Sequence, residues 1–101
     1  MIIPKKLKVG GHEYRVLYPH IFSERSDVCA QADHATNCIR VTAQTNGGEV
    51  RPRSNVEQSF FHEVLHCVDL VYNGAKLEDE VVERISQGMY QVLRDSGMLR
   101  R

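Results

Sequence analysis

The segment His62-Glu63-Val64-Leu65-His66 reads HEVLH, and it constrains this chain more than any other stretch. Two histidines four residues apart stack on one face of an α-helix, about one turn from each other. From there they can direct two imidazole nitrogens at one divalent metal ion, with the Glu63 carboxylate beside them. Such a motif asks for a rigid helix, half sunk into a domain and open at the histidines.

The flanking residues supply that helix over 54–72. Ser54-Asn55-Val56-Glu57 fits the S-x-x-E capping box, in which hydroxyl and carboxylate close the free N–H groups of the first turn. Pro52 hinders extension upstream, and Asn73-Gly74 can take the left-handed conformation that ends a helix. Val56, Phe60, Val64, Cys67, Val68 and Val71 recur at three- and four-residue spacing and form an apolar stripe. His62 and His66 lie at its edge, flanked by Phe61, Leu65 and Leu70. Solvated histidines on a surface helix, the bland alternative, usually have more polar neighbours.

HExxH gives two protein ligands, whereas a catalytic zinc usually has three and a water. The metal acidifies that water and polarises a scissile carbonyl; Glu63 would take and return the proton. One class of such sites continues as HExxHxxGxxH or D. Here the position three after His66 is Asp69 and the position six after is Tyr72, which excludes that class. A second helix is expected from Leu77 to about Asp95, with Val81, Val82, Ile85, Met89, Val92 and Leu93 as its apolar stripe. Glu78, Asp79 and Glu80, with Glu83, open it, as the helix dipole favours. Acidic first turns are common, but one of these carboxylates can complete the site. Asp69, three after His66 on the same face, either orients a neighbouring imidazole by accepting its second N–H or is a solvated Asp.

The chain resembles gluzincin-type metallopeptidases, most closely the short HExxH proteins encoded by phages and prophages, and more distantly the ImmA/IrrE-type peptidases and minigluzincins. The resemblance covers most of the chain and is best from Phe60 to Asp69, then through Glu80-Val81-Val82-Glu83-Arg84-Ile85-Ser86 to Val92-Leu93-Arg94-Asp95. It implies Zn²⁺, a short mixed sheet packed on the active-site helix, and a cleft along the sheet's edge strand. It also implies that Glu80 is the third ligand, since the ligand helix of gluzincins carries a Glu followed by small or apolar residues. Geometry agrees: the loop 73–76 is short, and Val81-Val82 should draw that turn toward the core. Glu83, one turn along, is the second choice and Glu78 the third.

Elsewhere the sequence reads as strands. Lys6 to Val9, Gly10-Gly11 and His12 to Tyr18 form a hairpin pattern; Val28 to Asp33 and Cys38 to Ala43 are two further short strands around the turn 33–37. A polar loop, 44–53, leads into the first helix. Residues 1–101 thus form one α+β domain: a mixed or antiparallel sheet of three to four strands, packed on the active-site helix and a second, C-terminal helix, a zincin-like arrangement.

Formal net charge is zero, so neither nucleic acid nor membrane is expected as a partner. Lys5, Lys6, Lys8, Arg51, Arg53, Arg100 and Arg101 read as solvated surface. No apolar run can span a bilayer and no signal peptide is read, so a cytoplasmic protein is expected. Cys29, Cys38 and Cys67 are odd in number and lack CxxC spacing, against a disulfide framework or structural zinc site; Cys67 reads as packing. His12, His20 and His34 read as surface residues. The functional expectation is a zinc metallopeptidase acting on a peptide or protein, with Glu63 catalytic, His62, His66 and Glu80 on the metal, and Asp69 behind them. Its competitors are a non-catalytic binding module on the same scaffold and, more weakly, a nucleic-acid-associated phage protein.

Overall fold

A computed structural model describes residues 1–23 and 27–99. Four strands, β1 (Lys6–Val9), β2 (His12–Leu17), β3 (Ala30–Asp33) and β4 (Cys38–Val41), precede two helices, α1 (Arg53–Asn73) and α2 (Asp79–Asp95). The sheet has the order β1-β2-β4-β3. β1 and β2 are antiparallel with Val9 opposite His12, β2 and β4 are parallel, and β3 closes the edge antiparallel to β4 with Ala32 opposite Ile39. The fold is therefore α+β with a mixed sheet, as the order of elements predicts.

The hairpin turn explains its own sequence. Gly10 has φ +61°, and a Cβ there would lie 2.6 Å from Val71 Cγ1. A side chain is excluded both by backbone handedness and by the close passage of α1. On the inner face Val9, Tyr14, Val16, Ile39 and Val41 meet Val56, Phe60 and Cys67 of α1 to form the core. Each such apolar side chain contributes roughly 1.5–3 kcal/mol on burial. α2 packs on α1 rather than on the sheet. No described helix is long and apolar enough to cross a membrane.

Three local expectations are corrected. First, α1 starts at Arg53 with Pro52 at its N-cap, and no side chain caps it. Ser54 thus falls inside the first turn, and Glu57 is released from the capping role. Buried in the α1–α2 seam, Glu57 instead accepts from Tyr90 Oη at 2.7 Å and from Arg53 Nε at 3.0 Å. Second, Arg51 is buried rather than solvated. Its guanidinium donates to the Thr42 carbonyl (2.8 Å), the Asn55 carbonyl (3.2 Å) and Ser59 Oγ (2.6 Å), tying the end of the sheet to the start of α1. Arg100 and Arg101 lie outside the described residues. Third, the side of α2 that packs is Val82, Ser86 and Tyr90, while Val81, Ile85, Met89 and Val92 face outward. All three cysteines are free thiols, with Cys38 and Cys67 buried and Cys29 exposed.

Candidate metal centre

α1 carries the HExxH residues along one side, facing the edge strand β3 and the start of α2. A cavity of about 620 Å³ opens there, with Ala30 to Ala32 of β3 as one wall and His62, Glu63 and His66 as its floor. Asp79 and Glu83 border it from α2, and His34 borders it from the turn after β3.

The two imidazoles converge. His62 Nε2 and His66 Nε2 are 3.0 Å apart, with ring centroids 4.8 Å apart at 63°. Zinc–nitrogen bonds of about 2.0–2.1 Å at a tetrahedral angle hold ligand atoms about 3.3–3.4 Å apart, close to this spacing. His62 Nδ1 donates to Glu83 Oε2 at 2.6 Å. This bond holds a hydrogen on the outer nitrogen and, in the neutral imidazole, leaves the Nε2 lone pair facing His66. Asp79 Oδ1 lies 3.3 Å from His66 Nε2, on the inner side of the pair. Burial first, then the neighbouring His62, pushes the His66 imidazole below its ordinary range. It is therefore held neutral, as a ligand must be.

The residues fit a metal ion in kind and partly in spacing. His, His and carboxylate is a zinc donor set. Two edges of the triangle are short, His62–His66 and His66–Asp79, yet no three described His, Cys, Asp or Glu side chains stand as a ready metal-holding group.

Glu63 is 8% exposed although its neighbours on α1 edge an open cavity. Its carboxyl is pushed up to about 7, chiefly by burial and further by the Asp79 and Glu83 carboxylates, against the pull of His62 and the Ala32 N–H. A carboxyl poised there can exchange a proton near neutrality, as a general base needs.

The other expected residues divide differently. Glu80 borders the cavity, but its carboxylate is paired with Arg84 on the outer side of α2 and does not meet the histidines. Glu78 is the N-cap of α2. Of the three acids weighed for the third ligand, Glu83 alone touches a histidine. Asp69 is buried, but its carboxylate accepts from Asn73 Nδ2 at 2.9 Å and the Leu77 N–H at 3.2 Å, and its carbonyl accepts from Ala75 N–H at 3.0 Å. It fastens the α1–α2 loop and does not bond the imidazoles; the carboxylate beside the outer nitrogen of His62 is that of Glu83.

Asp79 and His34 also border the cavity, although the sequence reading leaves Asp79 unranked among the acids that open α2 and takes His34 as a surface residue. Asp79 had a signal: it stands four before Glu83, so the two share one face. His34 had none, because its place comes from tertiary packing. Its Nδ1 lies 3.2 Å from the hydroxyl of Tyr14, which is 1% exposed, and only the fold brings the β3–β4 turn over β2.

Comparison with protein-family models, curated proteins and solved structures returns no match in any of the three.

Proposed function

We propose that this protein is a zinc-dependent metallopeptidase. The observation that carries the reading is the approach of His62 Nε2 to His66 Nε2 at 3.0 Å beside the buried, proton-poised Glu63. His62, His66 and Asp79 would hold the metal, and Glu83 would orient His62 through its Nδ1–H. The ion, when bound, would acidify a water and polarise the substrate carbonyl. The chain's own residues do the rest. Glu63 accepts the proton of the attacking water on its carboxylate and returns it to the leaving amine. Glu83 keeps the His62 lone pair turned inward. β3 is an edge strand beside β4, and its outer edge runs along the cavity wall, where an extended peptide could lie. Burial of the phenol keeps Tyr14 protonated. Its O–H can hold His34 Nδ1 and leave Nε2–H as a donor at the cavity rim.

The test is zinc content and turnover across single variants. Dialysed wild type should retain about one zinc per chain, and His62→Ala or His66→Ala should lose it. Asp79→Ala should weaken zinc by about tenfold or more, Glu83→Ala by less, and Glu80→Ala hardly at all. Glu63→Gln should keep zinc and lower hydrolysis of a quenched-fluorescence peptide pool by about 10²–10⁴-fold. Wild type that takes up no zinc refutes the metal reading. Bound zinc without any Glu63-dependent cleavage replaces the peptidase with a binding module.

A further inference from the structure

The outward face of α2 is not built for solvent. Val81, Ile85, Met89 and Val92 are 37%, 42%, 50% and 57% exposed, and they recur one turn apart along the helix. Among the described elements, α1 alone packs on α2. Gly88 lies on the same face, and a Cβ there would meet no atom within 4 Å. Glycine inside a helix costs about 1 kcal/mol relative to alanine, and the fold of a single chain gives no reason for it. A notch between apolar residues is what a second helix needs to come close.

We propose that this face pairs with its equivalent on a second copy of the chain, the two α2 helices running antiparallel about a twofold axis. Val81, Ile85, Gly88 and Val92 follow the alternating three- and four-residue spacing of a helix–helix seam. An antiparallel pairing in which Ile85 of each copy lies over Gly88 of the other also sets Val81 against Val92 at both ends. The row is its own complement, as a twofold interface requires, and each branched side chain fills the other's notch. Antiparallel pairing opposes the helix dipoles. It also brings Glu80, in the acidic first turn of α2, beside the last turn with Arg94 of the other copy. A heterologous partner has no such reason to match Ile85 with Gly88. The pairing is independent of the metal reading, since none of the seam residues is assigned to the metal.

Sedimentation equilibrium of the full chain over a wide concentration series tests it. Wild type should dimerise reversibly. Ile85→Glu should weaken the dimer by about thirtyfold or more, as expected for a central interface residue. Circular dichroism should be unchanged, because the position is exposed. Gly88→Ala separates the seam from simple helix propensity: the variant monomer should melt higher while its dimer is weaker. Wild type that remains monomeric throughout overturns the proposal, as does Ile85→Glu that dimerises like wild type. So does Gly88→Ala that strengthens monomer and dimer together.

Discussion

Tyr90→Phe should loosen the whole site from a distance. Tyr90 is 5% exposed and Glu57 6%, and their 2.7 Å hydrogen bond joins the two helices at the buried seam. Phe keeps the ring and removes only the hydroxyl. A hydrogen bond to a charged group contributes about 1.5–3 kcal/mol. Glu57 keeps Arg53 on its other oxygen, so about 2 kcal/mol is expected. For a chain of this length that corresponds to roughly 8–16 °C in Tm. The effect carries a pH signature. Burial works against the Glu57 charge, but Tyr90, Arg53 and the Met1 amine outweigh it and hold the carboxyl below its ordinary value of 4.5. A depressed carboxylate stabilises the fold above its unfolded pKa, and that stabilisation fades as pH falls through the folded value. The gap between wild type and variant should therefore be widest near neutrality and narrow in acid. Thermal melts at several pH values measure it, and a zinc titration of both proteins measures the consequence for Asp79 and Glu83. An unchanged midpoint, or a gap that does not vary with pH, refutes the argument that this bond docks α2.

Gly10→Ala should destabilise by about 2–4 kcal/mol in urea denaturation, combining left-handed strain with overpacking against Val71. Gly11→Ala, where a Cβ meets nothing within 4 Å, should be nearly neutral, and equal effects would unseat the hairpin turn from α1. Asp69→Ala should cost about 1–3 kcal/mol by leaving the Leu77 N–H without its acceptor, with zinc affinity nearly unchanged. A large loss of zinc in that variant would return Asp69 to the imidazoles.

The parts of this molecule legible in the sequence are those set by short-range chemistry. HEVLH fixes which side of α1 faces the cavity, because a separation of four is one helical turn. Gly10-Gly11 and Gly74 mark chain reversals through backbone handedness. Alternation in 12–18 marks β2. The illegible parts depend on what another element brings. Glu57 satisfied a capping pattern, yet Tyr90 and Arg53 claim it once α2 docks. Arg51 resembled any loop cation, and only the fold surrounds it with the carbonyls of Thr42 and Asn55. His34 was one of three unremarkable histidines until β2 brought Tyr14 beneath it.

The turning of Glu80 away from the histidines has the same origin, and α2 shows how. Four of the six apolar residues of its expected stripe, Val81, Ile85, Met89 and Val92, define one row, and hydrophobic periodicity would turn that row inward. The helix does the reverse. The row Val82-Ser86-Tyr90 is packed, and it owes its place to polar bonds: Tyr90 to Glu57, and Ser86, which accepts from Gln58 Nε2 at 3.1 Å. These rows differ by one residue, about 100° of rotation on a helix of 3.6 residues per turn. Extending the packed row backward by steps of three and four leads to Glu83 and Asp79, the two acids found at the histidines. Extending the apolar row leads away from them. One phase error thus accounts for both the preference for Glu80 and the apolar face left in water. The polar seam that sets the phase frees Val81, Ile85, Met89 and Val92 for a second helix, while it turns two carboxylates toward His62 and His66.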